Sequence, residues 1–142
     1  MQSIKIDFGF CLFFACALLV FPLKMVVAWM LAVAVHELSH YTALRLCGVR
    51  VESLRLSARG IIMKTGYVDS SREFICALAG PLSGFLLLLL RRWLPCTAIC
   101  GFVQACFNLI PIPPLDGGRA LHCLAAKICS AKENFLANQR NK

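Results

Sequence analysis

The sequence predicts an all-α membrane protein: about four transmembrane helices, a short β-hairpin or sheet insertion after the second helix, and a C-terminal amphipathic helix. Three observations point there. Hydrophobic residues fill 59% of the 142 positions and only 15% are charged, with a mean hydropathy of +0.73, outside the usual soluble range. The apolar residues lie in blocks rather than at amphipathic spacing. One block long enough to span a bilayer carries two histidines and a glutamate, and a charged side chain at that depth costs roughly 2.5–3.5 kcal/mol on insertion scales. Residues 1–142 read as a single membrane-embedded domain.

The first block is Phe8–Leu23. An alternative reading is a signal peptide with Lys5 in its n-region, but Asp7 dilutes that charge and no A-x-A cleavage site precedes Met25. The second block, Met25–Leu46, reads MVVAWMLAVAVHELSHYTALRL. On a helix His36 and His40 lie one turn apart on one face, so both imidazoles can reach a single ion. Glu37 projects beside them, where a carboxylate can take a proton from a water activated by that ion. This is the H-E-x-x-H pattern of zinc peptidases, here in an apolar setting. The competing structural reading makes both histidines interior groups bonded to neighbouring helices.

The connection Cys47–Glu73 changes grammar. Val49, Val51, Leu54 and Leu56 alternate imperfectly with Arg50, Glu52, Ser53 and Arg55; Ile61, Ile62 and Met63 follow Arg59-Gly60, and Lys64-Thr65-Gly66 supplies a turn. Two or three short strands at the membrane interface are expected, against the alternative of an ordinary surface loop.

The third block, Phe74–Leu90, contains Ala79–Gly84, AGPLSG. Its small residues permit close helix approach and Pro81 frees a backbone carbonyl. That leaves room for a peptide, makes a packing kink, or does both. The fourth block is Trp93–Ile110, and blocks one and four are short for a span of roughly 20 residues.

A catalytic zinc site needs three protein ligands and one open position. The candidate third ligand is Asp116, in the run NLIPIPPLDGGR from Asn108 to Arg119. Pro111, Pro113 and Pro114 break the fourth helix, Gly117 and Gly118 allow close backbone approach, and a helical pattern resumes from Arg119. Asp116 then stands just before a helix start, and the local alternative is a simple N-cap. Asp69 and Glu73 are weaker candidates, and His122 reads as interfacial.

Fifteen Lys and Arg against seven Asp and Glu give a formal charge of +8. The basic residues lie between and after the blocks, without the aromatic interleaving of a nucleic-acid surface, so no nucleic-acid partner is expected. With four spans, one side holds Lys5, Arg50, Arg55, Arg59, Lys64, Arg72, Arg119, Lys127, Lys132, Arg140 and Lys142, and the other Lys24, Arg91 and Arg92. The positive-inside rule places both termini in the cytoplasm. Nine scattered cysteines, none in a C-x-x-C, read as small hydrophobes.

Three ordered motifs, HELSH at His36–His40, AGPLSG at Ala79–Gly84 and NLIPIPPLDGG at Asn108–Gly118, resemble the site-2 protease, or M50, family of intramembrane zinc metalloproteases, and look closest to its stage IV sporulation FB branch. The resemblance covers roughly residues 25–130. It implies that His36, His40 and Asp116 bind one catalytic Zn2+, that Glu37 is the general base, and that Asn108 helps hold substrate. It also implies a membrane-associated sheet where Cys47–Glu73 lies, and a bacterial cell membrane. Two departures stand out: many members have Asn where Gly84 stands, and branch members usually continue with further membrane helices.

The expected activity is zinc-dependent endopeptidase cleavage of membrane-embedded or membrane-proximal protein substrates. Partners would be that substrate, the lipid bilayer and, where regulated, another membrane protein. The alternatives are a catalytically inactive or truncated metal-binding or partner protein, and a metal transporter, since intramembrane His and Asp can line ion paths.

Overall fold

The structure is a computed structural model that describes residues 3–6, 8–57 and 60–140. The element order is β1 (Ser3–Ile6), α1 (Phe8–Val20), α2 (Leu23–Leu46), β2 (Val51–Ser57), β3 (Gly60–Thr65), α3 (Ser70–Leu86), α4 (Pro95–Asn108) and α5 (Asp116–Arg140). A 3₁₀ turn, Leu87–Leu90, extends α3.

Two helices among the described residues are long and apolar enough to cross a bilayer: α2, and α3 with its extension to Leu90. The helices α1 and α4 have 13 and 14 residues. At 1.5 Å per residue they reach only about 20 Å, short of the roughly 30 Å hydrocarbon core. Length therefore supports two of the four expected spans.

The helices pack with small residues inside and large ones outside. Ala28, Ala32, Ala77, Ala98 and Ala105 are buried, while Val27, Leu31, Leu38, Leu82, Leu89 and Val103 are exposed. A soluble core would show the reverse, because burying large apolar groups drives its folding. Lipid is as apolar as Leu, so helices in a bilayer associate through close backbone approach instead. At the α3–α4 crossing a Cβ on Gly84 would lie 2.5 Å from the Gly101 carbonyl oxygen. An asparagine at position 84 would not fit this crossing.

The helix α2 starts after Pro22, whose fixed φ turns the chain from α1. At its far end Gly48 takes φ +74°, a conformation that L side chains rarely adopt, and turns the chain toward β2. Leu44, Val49, Val51 and Cys76 form a small buried cluster that ties this turn to α3.

The sheet has the order β1-β2-β3, with β1 parallel to β2 and β2 antiparallel to β3. Two strands come from the expected insertion. The third, β1, lies in the N-terminal residues, where no strand was expected; a four-residue segment carries too few alternations to signal one. The register shifts between Val51 and Ser53, which accounts for the broken alternation around Glu52. Arg59 and Lys142, used in the charge count, lie outside the described residues.

Candidate metal centre

The site forms where α2, α3, α4 and the start of α5 meet. His36 and His40 are 4% and 8% exposed and share the inward face of α2 with Ala28 and Ala32. The chain leaves α4 at Asn108, passes the proline-rich stretch, and enters α5 at Asp116. Asp116 is thus the first residue of α5 rather than the residue before a helix beginning at Arg119. A carboxylate suits that position because it meets the positive end of the helix dipole.

Three donor atoms converge. Asp116 Oδ2 lies 3.1 Å from His36 Nε2 and 3.0 Å from His40 Nε2, and the two Nε2 atoms are 3.1 Å apart. This is the one group of three or more His, Cys, Asp or Glu among the described residues whose donor atoms could hold a metal ion.

The donor chemistry fits zinc. His40 Nδ1 lies 2.7 Å from the Cys76 carbonyl oxygen, which can only accept, so Nδ1 carries the proton and Nε2 offers a lone pair. Asn108 Nδ2, which can only donate, lies 3.3 Å from His36 Nε2, so that nitrogen too presents a lone pair. His36 Nδ1 is buried without a hydrogen-bond partner. Lone pairs from two imidazoles and a carboxylate meeting at 3.0–3.1 Å require positive charge between them, either protons or a cation. A tetrahedral ion with bonds of about 2.0–2.1 Å sets neighbouring ligands roughly 3.3–3.4 Å apart, close to the observed triangle. The Cys76 carbonyl is the outer partner that a metal-bound histidine commonly has.

Two glycines make the convergence sterically possible. A Cβ on Gly80 would lie 2.2 Å from His40 Nε2, and one on Gly117 would lie 2.2 Å from the Leu109 carbonyl oxygen. Gly80 lets α3 pass against both imidazoles, while Gly117 lets the chain fold back over the end of α4. Pro81 is fully buried in the same face of α3.

Glu37 is half-buried on α2 between the two histidines. Asn108 is placed beside His36. The remaining candidates are engaged elsewhere. Asp69 caps α3 by accepting from the Ser71 backbone N–H at 3.1 Å. Glu73 lies 3.5 Å from Arg119, and His122 is exposed on α5. Sequence reasoning missed the contribution of the Cys76 backbone, which no residue identity could signal. It read Gly80 as making room for a peptide or a packing kink, and not as the point where α3 passes against the two imidazoles.

No protein-family model matches the chain. In sequence it is 28% identical over 110 residues to a zinc metalloprotease of Methanocaldococcus jannaschii, a match spanning 68% of this chain and 32% of that protein. The match therefore covers about a third of the curated relative's length. In structure it matches the site-2 protease from Methanocaldococcus jannaschii with a TM-score of 0.70 and 25% identity, covering 87% of this chain and 67% of that one. The chain is thus a helical bundle with a His-His-Asp centre, similar in sequence to a zinc metalloprotease and in fold to a site-2 protease.

Proposed function

We propose that this chain is a zinc-dependent endopeptidase of the site-2 protease kind, cutting protein segments within or next to the membrane. The observation that carries the reading is the 3.0–3.1 Å triangle of His36 Nε2, His40 Nε2 and Asp116 Oδ2 inside a bundle whose outer face is apolar. Zinc held there would supply Lewis acidity, polarising a carbonyl and lowering the pKa of water toward about 7. Glu37, adjacent to His36 in sequence, takes the proton of the attacking water and returns it to the leaving amine. Asn108, at the end of α4, holds the substrate backbone near His36. A helix hides its carbonyls in hydrogen bonds, so the target segment must unwind before attack. Pairing with an edge of the small sheet would keep it extended.

In this reading α1 and α4 complete a four-span topology with both termini cytoplasmic, as the distribution of Lys and Arg favours. Broken backbone between α4 and α5 is tolerated at membrane depth because it lines the site. The stage IV sporulation FB-like branch, and with it a bacterial membrane, rests on the motif resemblance. The metal-binding but inactive alternative predicts the same zinc content without cleavage. The deciding experiment incubates the purified protein with a model transmembrane substrate, with and without a chelator. Chelator-sensitive cleavage is expected, and a zinc-loaded protein that cuts nothing would favour the inactive alternative.

A further inference from the structure

The two carboxylate oxygens of Asp116 have different neighbours. Oδ2 faces both imidazoles, whereas Oδ1 lies 3.8 Å from the Arg119 guanidinium. The other terminal nitrogen of Arg119 lies 3.5 Å from Glu73 Oε1 on α3. One guanidinium therefore bridges the first turn of α3 and the first turn of α5, with Asp116 at its second end.

Helix formation and stability account for this arginine only weakly, its (i, i+3) pairing with Asp116 included. A cation in the first turn of a helix opposes the helix dipole. Arg119 and Glu73 side chains are 46% and 37% exposed, and ion pairs of that exposure add little to stability. Its geometry supplies another reason. The terminal torsion of an aspartate is broad and roughly two-fold, so the carboxylate turns readily unless both oxygens are held. If Oδ1 swung inward, both oxygens would ligate, raising the coordination from four atoms, water included, to five and crowding the position that a catalytic zinc keeps open.

We propose that Arg119, anchored by Glu73, is a positioning residue that restricts Asp116 to ligation through one oxygen and so keeps the fourth position of the centre open. The inference rests on the zinc reading above. A planar, forked guanidinium suits the task, since its two ends face the two carboxylates at once, at 3.5 Å from Glu73 and 3.8 Å from Asp116.

The test uses the full chain in detergent micelles with cobalt(II) in place of zinc, because visible absorption per cobalt is stronger in four-coordinate than in five-coordinate sites. Wild type should show the four-coordinate spectrum. Arg119→Met should lose intensity as a fifth ligand atom enters, Glu73→Gln should lose part of it, and Arg119→Lys should recover part of it. Glu73→Gln leaves the α5 turn intact, so it keeps the test decisive if Arg119→Met fails to fold. Wild-type spectra in both Arg119→Met and Glu73→Gln would overturn the positioning role alone. A wild-type protein that binds no cobalt or zinc would overturn the metal reading, and this inference with it.

Discussion

Gly80 of α3 and His40 of α2 meet so closely that a Cβ on Gly80 would lie 2.2 Å from His40 Nε2 and 2.7 Å from His36 Cε1. The obstacle would be two buried rings rather than the far end of a flexible chain. Gly80→Ala must therefore displace an imidazole or push the helices apart. Overpacking of this kind costs roughly 1–3 kcal/mol. The expected result is loss of most bound zinc, measured by elemental analysis, with a lowered melting temperature. Full zinc binding by Gly80→Ala would contradict the close approach.

Zinc content should follow the three converging atoms. Wild type is expected to hold about one ion per chain, as three ligands and an open position imply. His36→Ala, His40→Ala and Asp116→Ala should each lose most of it. Retention of a full ion by Asp116→Ala would mean that the third ligand lies elsewhere.

Asp69 supplies the control, because the structure gives it a capping role instead. Bonds from the Ser71 backbone and hydroxyl hold its carboxyl below the ordinary value of 3.8. A carboxyl whose pKa is depressed on folding stabilises above its unfolded pKa, and loses that contribution as the pH falls through the folded value. Asp69→Ala should thus lower the melting temperature slightly at neutral pH, with the difference from wild type closing in strong acid. Zinc binding should be unchanged. Zinc loss in Asp69→Ala would move the centre toward α3.

How much of this was legible in the sequence depends on distance along the chain. His36 and His40 are four residues apart, so helix geometry alone brings them together. Asp116 is 76 residues from His40, and spacing cannot measure that separation; proline, glycine and the shortage of other acidic groups could only nominate it. Gly80 and the Cys76 carbonyl were less visible still. A glycine's role depends on what crosses it, and a carbonyl is common to every residue. The strand β1 went unread because its pairing with β2 is a long-range contact. The start of α5 shifted to Asp116 because a glycine pair reads as loop, whereas here Gly117 and Gly118 are helical and tightly packed.

Topology gives a prediction independent of zinc. Single-cysteine labelling, in a background with the nine native cysteines replaced, should find the residue 50–72 connection on the cytoplasmic side and Arg91-Arg92 on the opposite face. Labelling of both from the same side would rule out a crossing by α3, even though it is one of two helices long and apolar enough to make one.

Glu37→Gln separates chemistry from structure most sharply. The amide keeps the shape of the side chain and nearly the same helix propensity, yet it cannot accept a proton from water at neutral pH. Glu37 is outside the converging His36, His40 and Asp116 group, so the variant should still bind about one zinc per chain, the stoichiometry of a single catalytic site. Cleavage of a model membrane substrate should fall roughly 10²–10⁴-fold, the usual contribution of general acid–base catalysis. Melting temperature should hold or rise slightly, since replacing a half-buried carboxylate by its amide removes the cost of keeping a charge partly out of water. Undiminished cleavage in Glu37→Gln would remove Glu37 from the reaction while leaving the metal centre standing. Lost zinc in the same variant would instead make Glu37 part of that centre.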